Sequence, residues 1–351
     1  MVVVSQTNCL RMEDAGMTRD REKMDHSWRN DEFARREVIG HWWWLIIPVI
    51  AIVAGTLLPA VAWLTGTFTP ASEVIIYTSQ DQVYAEPILK QFERQTGIRV
   101  RAVYDSEVVK TVGLVNRLLA ENDHPQCDIF WNNEELRTRQ LAAKGVFEKW
   151  TAIGYRSRRI AVNTNRLSLA AAPHSIVELT NQSWRGKVAL AYPLFGTTAT
   201  HFLALRQVWG DKCWQNWCRA LAANKPFLVD GNSVAAKLVA KGEAWVGLTD
   251  SDDIAAEQRE GASIVELPLT EESLLVPNTI ALVRGGGHSA GAERLFEYLK
   301  QPEVVEKLVT ARALEGVCTR DVTRATLKPE WEGLLVGLDQ GTAELKGVFL
   351  R

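Results

Sequence analysis

Residues Trp42 to Leu64 (WWWLIIPVIAIVAGTLLPAVAWL) form a run of 23 residues without one charged side chain. No other stretch constrains the chain so strongly. At about 1.5 Å per residue such a run makes roughly 35 Å of helix, enough to cross a hydrocarbon core of about 30 Å. Trp42, Trp43 and Trp44 stand at one end and Trp63 at the other, where amphipathic rings favour the headgroup layer. Pro48 and Pro59 are tolerated in a membrane helix. Arg29, Arg35 and Arg36 precede the run, and no Lys or Arg follows it until Lys90. The positive-inside rule therefore places residues 1–41, a polar leader of mixed charge, in the cytoplasm. Everything beyond the run is expected outside, tethered to the membrane by this N-terminal helix. A long signal segment cleaved near Ala60-Val61-Ala62 is the alternative, and it would release the same domain.

Composition narrows the class of that domain. The 351 residues carry 40 basic and 42 acidic side chains, a net charge of −2. A general nucleic-acid binder would carry a basic excess. With 46% hydrophobic residues the chain is too apolar to be disordered, and five cysteines are too few for a disulfide scaffold. Cys127, Cys213, Cys218 and Cys318 are nonetheless open to pairing in an oxidising compartment.

After a short linker, residues 65–72, strand-like and helix-like segments alternate. Strands are expected at Val74–Tyr77, Arg99–Tyr104, Asp128–Trp131, Arg159–Asn163, Lys187–Ala191, Ala244–Thr249 and Leu274–Arg284. Helices are expected at Gln82–Gln95, Glu107–Asn122, Glu134–Lys144, Thr198 to about Trp209, Gln215–Ala222, Ser233–Lys241, Ala290–Lys300 and Glu303–Ala313. This alternation predicts an α/β protein with largely parallel sheets in two lobes. Ligands of such sheets bind beyond the carboxyl ends of the strands, where helices also begin. The junctions there are small or polar: Thr78-Ser79-Gln80-Asp81, Asp105-Ser106, Asn132-Asn133, Phe195-Gly196-Thr197-Thr198, Gly231-Asn232-Ser233 and Asp250-Ser251-Asp252-Asp253. Each also reads as an ordinary N-cap. Gly196 with its two threonines suits an anion, because free N–H groups and the helix dipole converge there. The three aspartates after Thr249 suit a hard cation or the amine of an organic solute. His201 is expected to pack. No HExxH, G-x-S-x-G or Walker-type motif occurs, so an enzyme is not expected.

Several segments carry a resemblance: VIIYTSQD, FERQTGIRV, CDIFWNNEEL, RSRRIAVNT, WRGKVALAYPLFGTTATHF, DGNSVAAKLVAKGEAWVGL and LVTARALEGV. In this order they resemble the type II periplasmic solute-binding proteins of ABC transporters, specifically the ferric-ion-binding members (bacterial extracellular solute-binding protein family 1), from Val74 to Arg320. The resemblance implies a two-lobe clamshell with two hinge crossings, at RRIAVNT and LLVPNTIAL. Lobe 1 would comprise residues 73–158, lobe 2 residues 159–277, and residues 278–351 would return to lobe 1 and end in a C-terminal tail. It further implies a monomeric receptor that hands its solute to ABC permease subunits, with Fe3+ and a synergistic anion, or a phosphate- or phosphonate-type solute, as the ligand. The family's first iron ligand falls near Asp81, with Tyr77 as an alternative phenolate. Its glutamate falls at Asn133, with Glu134 adjacent. Its tyrosine pair falls at Asp252 and Asp253, and its anion-binding helix start at Gly196, Thr197 and Thr198. Tyr77, Ser79, Ser106, Asn132, Asn232 and Asp250 complete the expected ligand set. A sensor ectodomain with the same fold, signalling through the membrane helix, is the alternative function.

Overall fold

The first expected strand shows why this chain builds covered sheets. In β1 (Glu73–Thr78) Val74 and Ile76 point into one hydrophobic cluster, while Ile75 and Tyr77 point into another on the opposite face. A strand that is apolar on both faces must lie between two layers of helix. The computed structural model describes residues 73–105, 112–287 and 289–350. The leader, the uncharged run and Ser106 lie outside the described residues. Among the described residues no helix is long and apolar enough to cross a membrane. The described residues belong to one compact unit.

Lobe 1 begins with β1, then α1 (Gln82–Thr96), β2 (Arg99–Tyr104), α2 (Val112–Ala120), β3 (Ile129–Asn132) and α3 (Glu135–Ala143). β1 runs parallel to β2 and β3. Helix α1 buries Tyr84, Ala85, Ile88, Leu89 and Phe92 along one stripe. It ends at Gly97, whose φ of 71° and N–H bond to the Glu93 carbonyl make a left-handed cap.

The two lobes share two long antiparallel strands, β4 (Phe147–Asn163) and β9 (Leu275–Val283). β9 also pairs with β3, and the far end of β4 pairs with β7 (Val246–Asp250) and β8 (Ile264–Glu266). The changeover lies at Ser157–Arg158, where pairing to β9 ends and pairing to β7 begins. β4 starts well before the expected Arg159. Its charged residues Glu148, Lys149, Arg156 and Arg158 mask the alternation, and a register shift between Ala152 and Tyr155 interrupts it.

Lobe 2 adds β5 (Val188–Ala191), α4 (Gly196–Ala223), β6 (Phe227–Val229), α5 (Asn232–Ala240) and α6 (Ser251–Arg259). β5 is parallel to β6 and β7. The whole sheet runs β2-β1-β3-β9-β4-β7-β5-β6, so the parallel sets are joined by antiparallel hinge strands. The two helices expected between residues 198 and 222 are continuous except for Gly210, whose φ of 74° and ψ of 161° break the axis. Trp214 and Trp217 are buried in the lobe 2 core.

The stretch 278–351 divides. Helices α7 (Ser289–Leu299) and α8 (Pro302–Thr310) pack on lobe 1 through Ala292, Leu295, Phe296 and Val304. The tail instead forms α9 (Trp331–Phe349), whose Leu334, Leu338, Leu345 and Phe349 join the lobe 2 core with Phe202 and Leu203 of α4. Its glycines lower helix propensity and hide it from a periodicity reading. Gly341 explains one of them: a Cβ there would strike the Leu203 side chain. The disulfides left open by the sequence do not form among the described residues. Cys127, Cys213, Cys218 and Cys318 are all free thiols.

Candidate ligand-binding cleft

The strand ends of lobe 2 converge on a small pocket. It is lined by Gly196, Thr197, Thr198, Asn232, Asp250 and Asp253, with Arg156 from the hinge strand and Asn133 from lobe 1. Its volume of about 40 Å³ admits roughly three waters, the size of one oxyanion group. Two helices start here. The N-cap residues are Phe195 for α4 and Gly231 for α5, and neither supplies a side-chain cap. Both helices turn the positive ends of their dipoles toward the pocket. Gly196 has a φ of 53°, a conformation that glycine adopts without strain.

Behind the pocket lies a buried charge network. Arg158, wholly buried, donates from Nη1 to Asp250 Oδ1 at 2.8 Å and Asn232 Oδ1 at 2.8 Å, and from Nη2 to the Leu248 carbonyl at 3.1 Å. Asp250 Oδ2 accepts from the Thr197 hydroxyl at 2.7 Å and from Asn232 Nδ2 at 3.1 Å. Thr198 donates to Asn232 Oδ1 at 3.0 Å. Arg156 reaches Asp252 from Nη1 and Asp250 from Nη2, the latter at 3.2 Å. Burial would raise Asp250, but the Arg156 and Arg158 charges with the Arg158 and Thr197 hydrogen bonds hold it below the usual carboxylate range. Burial pushes Asp252 up to about 6 against the pull of Arg156, and the carboxylates of Asp250 and Asp81 add to the rise.

The expected cation cluster is thus present as geometry, with Asp250, Asp252 and Asp253 offering oxygens within 4.8 Å of one another. It is not an open set of carboxylates, because two guanidinium groups already sit on it. Arg156 and Arg158 were not among the residues singled out in the sequence. The signal was there: two arginines two apart point to the same face of a strand. When that face is buried, they require carboxylate partners.

On the lobe 1 side, Ser79 donates to Asn132 Oδ1 at 2.7 Å and accepts from the Asn133 N–H at 3.0 Å. Asn133 Nδ2 bonds the Ser79 carbonyl, so these expected residues do come together. Asp81 is the N-cap residue of α1, and its charge acts on both Arg156 and Asp252. Two expected ligands point elsewhere. Tyr77 is buried toward α2, where its hydroxyl donates to Glu121 and Arg117 lies 4.5 Å over the ring. Burial and Glu121 push its phenol above the ordinary range, away from phenolate chemistry. Glu134 caps α3, accepting from the N–H groups of Leu136 and Arg137, and takes the Thr200 hydroxyl of α4 at 2.8 Å. Burial raises its carboxyl, and its oxygens are spent on the fold. Arg259 of α6 donates to the Tyr84 hydroxyl of α1 with its guanidinium 5.1 Å over the ring, which ties the two lobes at the cleft's flank.

The signature of the bacterial extracellular solute-binding proteins matches residues 74–310. The chain belongs to that family. The match takes in both lobes and both hinge strands of the solute-binding domain. Among curated relatives, the major ferric iron-binding protein of Neisseria meningitidis serogroup A is 22% identical over 297 residues, which is 76% of this chain and 88% of the relative. Two solved structures share the two-lobe fold at a TM-score of 0.69 and 18% identity, each over 79% of this chain. One is iron-bound HitA from Pseudomonas aeruginosa, 99% covered. The other is the periplasmic binding protein AfuA from Actinobacillus pleuropneumoniae with exogenous fructose-6-phosphate bound, 98% covered.

Proposed function

We propose that this solute-binding protein is the receptor of an ABC importer and captures a small solute by its anionic group, of the phosphate or phosphonate type. One observation carries the reading: α4 and α5 begin without side-chain caps at one pocket, beside buried Arg156. Two helix dipoles, positive at these ends, favour an oxyanion there. Gly196 lets the ligand approach the backbone. The polar body of the solute then lies against Asn133 and Ser79 of lobe 1. Its contacts with both lobes favour the closed over the open state, and the permease reads that difference. The uncharged run at 42–64 supports a membrane tether that keeps the receptor near its permease.

Ferric iron with an anion is the second reading, favoured by the three close carboxylates and by the neisserial relative's name. Electrostatics oppose it. An added trivalent charge would lie close to two guanidinium groups, and both Asp250 oxygens are already engaged by Arg158, Thr197 and Asn232. Calorimetric titration of the purified protein with inorganic phosphate, fructose 6-phosphate, a phosphonate and ferric citrate separates the two. Binding of a phosphorylated solute, weakened in Arg156→Gln, is the expected result. Tight binding of ferric iron with no response to any phosphate or phosphonate would overturn the anion reading.

A further inference from the structure

A second cavity, of about 330 Å³, lies in lobe 2 on the α4 face of the sheet. Arg158, Ile160 and Leu248 supply one wall and His201 of α4 another, and the segments 169–176 and 267–273 close the sides. Exposed Leu169 and His174 stand at its edge. A dry cavity of about 150 Å³ takes a benzene, so this one has room for roughly a dozen non-hydrogen atoms. It shares no lining residue with the pocket at the helix starts.

Among the described residues, two buried polar atoms of its lining have no protein partner: Arg158 Nε and His201 Nδ1. Their roles follow from their neighbours. His201 Nε2 lies 2.7 Å from the Glu272 carbonyl oxygen, which can only accept, so Nε2 carries the proton. Burial and the Arg158 charge keep the ring neutral, lowering it to about 3, which leaves Nδ1 as a bare acceptor. Arg158 Nε is a donor. Its charge is balanced by Asp250 at 2.8 Å, and that of Arg159 by Glu315 at 2.7 Å. A cationic head would meet these guanidinium groups, and a carboxylate could not donate to Nδ1. Orphaned buried donors and acceptors of this kind are costly, and a group that satisfies both is favoured there.

We propose that lobe 2 carries a second ligand site, separate from the interlobe cleft, for a compact uncharged molecule with an apolar body and one head that both donates and accepts a hydrogen bond, a hydroxyl or a primary amide. Because Arg158 also holds Asp250 and Asn232, occupancy of this site bears on the network behind the cleft.

The test uses the full chain in lipid nanodiscs with phenylacetamide as probe and N,N-dimethylphenylacetamide, which cannot donate, as control. Ligand-observed NMR should give a dissociation constant below about 1 mM for the amide and at least tenfold weaker binding for the control. Hydrogen exchange should slow in peptides covering 167–176 and 267–274. His201→Phe should weaken the amide about tenfold. Should that variant fail to fold, the wild-type comparison of the two amides still decides. Equal binding of both amides, protection confined to 196–198 and 230–233, or a crystal structure grown with the amide in which the cavity holds ordered water only would each overturn the proposal.

Discussion

Replacing Asp250 by asparagine keeps the shape of the network and removes the charge that both arginines share. In the native chain one carboxylate takes Arg158 at 2.8 Å, Arg156 at 3.2 Å, Thr197 at 2.7 Å and Asn232 at 3.1 Å. The variant leaves Arg158, which is 0% exposed in its side chain, without a carboxylate partner. Breaking a buried ion pair from one side costs about 3–5 kcal/mol, mostly for the charge left behind. For a unit of this size 1 kcal/mol moves the melting temperature by roughly 2–4 °C, so Asp250→Asn should melt roughly 6–20 °C below the wild type. Differential scanning fluorimetry without added solute measures it. Arg158→Met removes the other partner, and the double variant should lose less than the sum of the singles by about 1–3 kcal/mol. A loss under about 1 kcal/mol in Asp250→Asn, or strict additivity of the two changes, would refute the claim that this pair is buried and coupled.

The pH dependence contains two opposed contributions. Asp252 rises from 3.8 to about 6 on folding, so its contribution favours the fold below about 4 and is lost as pH climbs to about 6. His201 falls from 6.5 to about 3, so its contribution is present above 6.5 and lost as pH drops toward 3. Between pH 4 and 6, melting curves of Asp252→Asn relative to wild type should show a steeper fall in stability on acidification, and those of His201→Gln a shallower one. Gly341→Val should cost about 1–3 kcal/mol in chemical denaturation, since its side chain would meet Leu203 across the α9–α4 contact. Gly196→Ala places a Cβ on a residue with φ of 53°, which costs about 1–2 kcal/mol and should weaken phosphate-type ligands about tenfold by calorimetry, with a smaller effect if the anion binds elsewhere.

Much of the architecture was legible because it is written in short-range periodicity. β1, with apolar residues on both faces, and α1, with its stripe from Tyr84 to Phe92 and its Gly97 stop, announce their geometry within a dozen residues. The polar junctions Gly196–Thr198 and Asn232–Ser233 follow the same logic, since a strand end followed by a helix start is where N–H groups lack a partner within their own helix. α9 was not legible, because its glycines lower helix propensity and one of them, Gly341, serves a contact with a helix more than a hundred residues earlier. Hinge strand β4 was read too short, because its charges answer to partners in both lobes.

By itself, then, the sequence determined an α/β chain with two sets of parallel strands and a line of small, polar helix starts, because those features depend on neighbours within one or two turns. It also determined an uncharged run long enough to span a bilayer. Only the tertiary structure decided the charge of the cleft. Three clustered aspartates read alone as a cation site. Folding sets Arg156 and Arg158 against them from 92 to 96 residues away, and a buried carboxylate must take the cation that the fold supplies. The proposed anion site at the neighbouring helix starts rests on that pairing, which no spacing in the chain records.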